Sequence, residues 1–201
     1  MTEISAGASS ATVERFDHTS TEHLAALTTM QRDYLLEELD RIGIHAPGIP
    51  AAFWLQTLLV RVGDTIAGFC SVDTTRYAIE LIYVRPPYRG HGIAARLLSE
   101  LAATCPEPMR LKTPLSPGGH ALAEKLGLGL SHSTDEEQQT ADRTIQDLHR
   151  AIEKHCPHGR RAGNPARPCK RCYRKAVTRS AEAVVMTYRA AALSADLMRA
   201  A

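Results

Sequence analysis

Residues 84 to 94, Val84-Arg85-Pro86-Pro87-Tyr88-Arg89-Gly90-His91-Gly92-Ile93-Ala94, combine the residue types that hold an anionic ligand through backbone. An apolar run ends at Pro86-Pro87, which cannot continue a strand ladder, and a helical pattern starts just after Gly90. Strand, basic glycine turn and helix together aim free N–H groups and a helix dipole at a negative group. Gly90 and Gly92 let the main chain approach a phosphate, while Arg85 and Arg89 bring positive charge. The Lys-Ser/Thr pair of a P-loop and the third glycine of a dinucleotide fingerprint are both missing. The pattern therefore predicts a diphosphate cradle of another kind.

A second cluster carries metal-ligand spacing. Cys156-Pro157-His158 is followed, after a ten-residue loop, by Cys169-Lys170-Arg171-Cys172. Two thiolates from one tight turn leave two tetrahedral positions for an upstream pair, the arrangement of a structural zinc knuckle. His155 is an alternative to Cys156 or His158. Gly159, Gly163, Pro165 and Pro168 give this loop no apolar filling, so a metal is its natural staple. Such a closed ligand set favours structural Zn2+ over catalytic zinc.

The third feature is Glu80, a lone carboxylate within Ala78-Ile79-Glu80-Leu81-Ile82-Tyr83-Val84. It is the candidate general base. On a regular strand Tyr83 points away from Glu80, so both line one site only if a bulge intervenes.

The elements that position these residues are legible in the periodicity. Thr12–Asp17 reads as a short strand, and Thr21–Ile42 as a helix with apolar residues at steps of three and four. Gly43 to Pro50 breaks the pattern. Thr57–Val62 and Thr65–Val72 flank Gly63-Asp64 as a hairpin. Ala78–Val84 is a strand, Gly92 to Ala103 a helix, Met109–Thr113 a strand, Gly119–Leu126 a helix closed by Gly127, and Leu128–Ser131 a strand. The expected fold class is α/β with mixed α+β layers: a central mixed sheet flanked by helices, plus a small helical Cys/His module.

Arg89-x-x-Gly92-x-Ala94 after a strand ending in Val-x-Pro, with this element order, resembles the acetyl-CoA site of the GNAT N-acetyltransferase superfamily. The resemblance covers residues 12–133. It implies acetyl-CoA as cosubstrate, held by Ile82, Tyr83, Val84, Arg85, Arg89, Gly90, His91, Gly92, Ile93 and Ala94. It also implies transfer of an acetyl group to a primary amine, with Glu80 as base. Ile82 to Val84 match the strand end that splays from its neighbour to expose backbone N–H groups. The tyrosine that protonates the leaving thiolate in many members is replaced by Ala123, and the matching asparagine by Ser116. Ser116 and His120 are the local substitutes.

The acceptor stays open among a small molecule, a protein amine and an aminoacyl-tRNA. A net charge of +2 over 201 residues says little about it. The positive charge is concentrated between His155 and Arg179, where no acidic residue interrupts it. The 160–179 segment thus offers phosphate contacts, with Tyr173 the one aromatic residue within it. The alternative function is a catalytically weak GNAT-fold module that binds nucleic acid or protein through this basic knuckle. Residues 1–11 read as a disordered lead without signal-peptide character. Residues 134–180 are expected as a helical, basic insertion in the last hairpin that would bind zinc, and 181–201 as a closing strand or helix and tail. The alternative makes Tyr173 to Ala200 one long alanine-rich helix and the whole segment a C-terminal appendage. Ala183-Val184-Val185-Met186-Thr187-Tyr188-Arg189 is the segment expected to close the sheet. Apolar content of 44% and the absence of a bilayer-length apolar run predict no membrane association. Five cysteines without a disulfide framework predict a reduced, cytoplasmic setting.

Overall fold

A computed structural model of the chain describes residues 11–42, 48–158 and 169–200. The expected lead lies outside them apart from Ala11, which is buried in the core. The described chain runs β1 (Thr12–Arg15), α1 (Thr21–Ile42), β2 (Leu55–Val62), β3 (Thr65–Asp73), β4 (Ala78–Val84), α2 (Ile93–Ala102), β5 (Arg110–Lys112), α3 (Pro117–Leu126), β6 (Gly129–Ser131), α4 (Asp135–His155) and α5 (Lys170–Ala200). The six strands form one sheet in sequence order. β1 to β4 pair antiparallel, and β4, β5 and β6 pair parallel.

Strand alternation sends successive side chains to opposite faces, and each face is covered by a helix. On one side Ile93, Leu97, Leu98 and Leu101 of α2 pack on Leu58, Val60, Cys70, Val72, Ile79 and Leu111. On the other, Leu24, Leu27 and Met30 of α1 pack on Leu59, Phe69, Leu81 and Tyr83. Each fully buried leucine contributes about 1.5–3 kcal/mol. Ser20 caps α1, its Oγ accepting from His23 N at 3.3 Å. Gly127, in the left-handed region at φ 62°, ends α3.

A one-residue bulge in β4 sets the geometry of the site. Ser71 faces Leu81 and Val72 faces Ile79, so Glu80 is the extra residue. The phase of the strand changes there: Ile79 belongs to the α2 side, while Leu81 and Tyr83 belong to the α1 side.

The expected closing strand Ala183–Arg189 is not formed. These residues lie inside α5, a 31-residue helix, and the sheet ends at β6. Residues after 134 therefore make a helical pair, not an insertion in a terminal hairpin. Tyr173, Val177 and Ala181, at steps of four, form the buried stripe of α5. Tyr173 and Val177 pack with Leu35 of α1 and Ile152 of α4. This stripe outweighs the β-preference of the Val-Val pair, because alanine, arginine, lysine and methionine supply most of the surrounding helix. Among the described residues no helix is long and apolar enough to cross a membrane.

Candidate active site

The predicted cradle begins where β4 leaves β5. Pairing stops after Ala78–Arg110 and Ile79–Leu111, so Glu80 to Val84 have no partner on the β5 side. Their main chain still pairs with β3 as far as Val84–Gly68. This is the splay the sequence implied, with Ile82, Tyr83 and Val84 on the free edge. A 3₁₀ turn over Pro86–Tyr88 leads into Gly90 and Gly92, both left-handed at φ 79° and 77°.

Gly92 is the residue before α2, and no side chain caps the helix. The N–H groups of its first turn are thus left for a ligand. A Cβ on Gly92 would meet no protein atom within 4 Å. Open space, unclaimed N–H donors and a helix dipole fit a diphosphate. Arg85 Nε is buried without a partner among the described residues, which also fits an anion nearby. Arg89 is placed differently. Its guanidinium donates to Glu37 Oε2 at 2.7 Å and to Val84 O at 2.8 Å, and lies 5.3 Å from the Tyr83 ring centre. Its side chain ties the strand end to α1, while its backbone stays in the turn. His91 Nδ1 lies 2.8 Å from Arg89 O.

Tyr83 is buried, and its hydroxyl donates to Glu37 Oε1 at 2.7 Å. Burial, reinforced by that carboxylate, pushes its phenol above the ordinary range. It is a strut between β4 and α1. Of the substitutes for the missing tyrosine, Ser116 is the N-cap of α3, accepting from Gly119 N at 3.1 Å. His120 is exposed and Ala123 packs into the α2-side core.

Beside the bulge lies a polar cavity of about 300 Å³ lined by Ile49, Trp54, Asp73, Thr75, Arg76, Glu80, Lys112 and Glu137. Glu80 is not the isolated carboxylate its strand suggested. Lys112 Nζ, from the end of β5, lies 2.9 Å from each of its oxygens and 3.2 Å from Glu137 Oε1. Arg76 donates to the same Glu137 oxygen at 2.8 Å. Thr134 and Glu137 form a capping box that starts α4 and fixes this carboxylate. Burial works to raise the Glu137 pKa, but the Thr134 N–H and the Lys112 ammonium outweigh it and hold it at about 2. Burial likewise disfavours the charged Lys112, yet Glu80 and Glu137 hold its pKa above the usual range.

Sequence reasoning missed Lys112, Glu137 and Gly48. The backbone of Gly48 crosses the bulge so closely that a Cβ would come 2.4 Å from Glu80 O. Ser71 Oγ donates to Ile49 O at 2.7 Å and Thr57 Oγ1 to Pro50 O at 3.0 Å, which pin this segment over the sheet. Trp54, half-exposed, stacks edge-on against Phe53 beside the cavity. A glycine in a Gly/Pro segment was the only available signal.

The four predicted metal ligands meet at the far end of α4. Cys156, His158, Cys169 and Cys172 bring their ligand atoms within 4.8 Å of one another. Residues 159–168, with Arg160, Arg161 and Arg167, lie outside the described residues. Tyr173 is fully buried, so it is no stacking platform for a base.

Splayed strand, left-handed glycine turn and helix start form a cleft that fits a diphosphate-bearing ligand. The sequence model of the acetyltransferase (GNAT) family matches residues 21–128, just over half of the chain. The chain belongs to the GNAT acetyltransferase family and is an acetyl-CoA-dependent N-acetyltransferase. A comparison with curated proteins gives no significant match. Among solved structures, it is similar to an integron cassette protein from the mobile metagenome of V. cholerae, at 15% identity and TM-score 0.46, over 61% of this chain and 87% of that one. It is also similar to a ribosomal-protein-alanine N-acetyltransferase from Brucella melitensis, at 16% identity and TM-score 0.43, over 63% and 94%. An aminoglycoside acetyltransferase from an uncultured soil metagenomic sample matches at 15% identity and TM-score 0.45, over 62% and 94%.

Proposed function

We propose that this chain acetylates a primary amine that enters beside Trp54 and takes the place of the Lys112 ammonium between Glu80 and Glu137. The observation that carries this reading is the ammonium already gripped there. Nζ has carboxylate oxygens at 2.9, 2.9 and 3.2 Å, at the vertex where β4 separates from β5. An incoming amine makes the same demand in its protonated form.

The free edge of Ile82 to Val84 supplies N–H groups for the acetyl carbonyl and the pantetheine arm. The turn from Arg89 through Gly90, His91 and Gly92 to Ile93 and Ala94 holds the diphosphate, with Arg85 behind it. Glu80 accepts the proton that the acceptor ammonium loses. The neutral nitrogen then attacks the thioester carbonyl, the carbon–sulfur bond breaks to release the thiolate of coenzyme A, and the second proton that the nitrogen sheds as the amide forms goes to that thiolate. Backbone N–H groups on the splayed strand stabilise the charge that develops on the carbonyl oxygen. A thiolate leaves without help more readily than an alkoxide, so transfer tolerates Ala123 in place of an acidic tyrosine.

Calorimetric titration with acetyl-CoA, followed by a screen of amine classes, tests the reading. Small polyamines, peptide α-amines, lysine side chains and aminoacyl-tRNA are the classes to compare. Saturable one-to-one binding and transfer to one class are expected. No binding and no transfer would leave the binding-module alternative.

A further inference from the structure

We propose that Cys156, His158, Cys169 and Cys172 bind one structural Zn2+, and that this metal clamps the outer end of α4 to α5 so that its inner end keeps Glu137 in the acceptor cavity. The geometry of the four ligands comes first. His158 Nδ1 lies 3.8, 3.5 and 3.4 Å from the sulfurs of Cys156, Cys169 and Cys172. Tetrahedral zinc, with Zn–S about 2.3 Å and Zn–N about 2.1 Å, requires nitrogen and sulfur to be about 3.6 Å apart. Three sulfurs around one imidazole nitrogen at that spacing match a closed tetrahedral ligand set.

The charge balance agrees. Three thiolates and a neutral imidazole around Zn2+ leave one negative charge. That charge sits at the N-terminus of α5, where the helix dipole favours it. The N–H groups of Cys172 and Arg171 donate to the Cys169 sulfur. Arg171, Arg174 and Lys175 are exposed around the first turns of the same helix. Cys169 O accepts from Tyr173 N at 2.9 Å, so the Cys-x-x-Cys pair is rigidly presented.

The need for a clamp follows from α4 itself. Its first half is exposed or half-buried, and among the described residues Leu148 and Ile152 are what α4 adds to the apolar cluster it shares with α1 and α5. At the inner end it is held by Glu137 against Arg76 and Lys112. From Glu137 to Cys156 the helix runs about 28 Å, at roughly 1.5 Å per residue. Two anchors hold a polar helix, and the metal secures the outer one. The coupling to Glu137, though not the metal site, rests on the acceptor reading of the cavity.

Metal analysis of reduced protein purified without added metal is expected to find close to one zinc per chain. Cobalt exchanged into the site should show the visible bands of a tetrahedral thiolate complex. Cys169→Ser should lose most of the metal, whereas Cys172→His, which restores a ligand, should keep it. Chelation should raise amide exchange in α4 and in the first turns of α5 and increase the acceptor KM severalfold. Acetyl-CoA affinity should stay unchanged. Metal content far below one equivalent, or a Cys169–Cys172 disulfide in its place, overturns the site. Zinc-loaded protein whose acceptor KM ignores chelation overturns the coupling. Zinc present without acetyl-CoA binding would instead sink the proposed function and leave the metal site standing.

Discussion

Lys112 Nζ lies 2.9 Å from both carboxylate oxygens of Glu80, joining the end of β5 to the bulge of β4 at the point where the two strands part. Glu80 is 8% exposed and Lys112 21%. The two charges are therefore largely withdrawn from water, and each depends on the other.

Removing one partner should cost more than removing both. Lys112→Met leaves a buried carboxylate uncompensated and should cost about 2–3 kcal/mol, below the roughly 3–5 kcal/mol of a fully buried pair because Lys112 keeps contact with water. Glu80→Gln/Lys112→Met should recover most of that loss. Chemical denaturation of the single and double variants measures it. Additive losses would mean that the pair is a surface contact of little energetic weight.

Catalysis gives Glu80 a separate signature. As the proton acceptor it should show a fall in kcat of roughly 10²-fold or more on Glu80→Gln, with acetyl-CoA affinity held. Glutamine keeps the size and polarity of the side chain while losing the basic oxygen. Turnover like that of the unaltered enzyme on a good acceptor would assign Glu80 to positioning Lys112 alone.

Gly92 separates backbone strain from ligand exclusion. Its φ of 77° makes any side chain strained, at about 1–2 kcal/mol, although no protein atom stands in the way. Gly92→Ala should therefore fold with that modest loss and weaken acetyl-CoA binding in part. Gly92→Glu should add a negative charge at the diphosphate position and abolish binding. Calorimetry on both variants, after thermal melts confirm folding, checks the order. Equal affinity in the two would remove the cradle assignment.

How much of this is legible in the chain depends on the range of the interactions involved. The bounds of α1 and β4 follow from local periodicity, and Gly127 announces the end of α3. The splay is implied by the family resemblance around Ile82 to Val84. A bulge near Glu80 is a condition the sequence can name, yet its consequence is not readable there. A single extra residue moves Leu81 and Tyr83 to the α1 side and puts Glu80 within reach of Lys112, 32 positions away. That partnership depends on the parallel register of β5, which no local pattern encodes. In the sequence Gly48 reads only as a helix breaker, because its close approach to Glu80 O exists only after the chain folds back. The sequence offers both a strand and a helix for Ala183–Arg189, and the strand reading fails for a different reason. Its β-branched residues dominate a short window, while the stride Tyr173, Val177, Ala181 decides the helix over a longer one.

Glu137 makes acid sensitivity a test of how α4 is docked. Its folded-state pKa is held at about 2, below the ordinary 4.5. A depressed carboxylate contributes stability that is complete above the unfolded value and is lost as pH falls through the folded one. The Glu137 contribution should thus be full above about pH 4.5 and decline toward pH 2. Glu137→Gln should be less stable than the unaltered chain near neutrality, and the gap should narrow as pH drops below about 4.5. Melts of both proteins from about pH 7 to about pH 3 isolate this group, since other titrations cancel in the difference. A gap that stays constant across that range would show that neither the Thr134 N–H nor Lys112 and Arg76 hold the carboxylate, and that Glu137 anchors nothing at the inner end of α4.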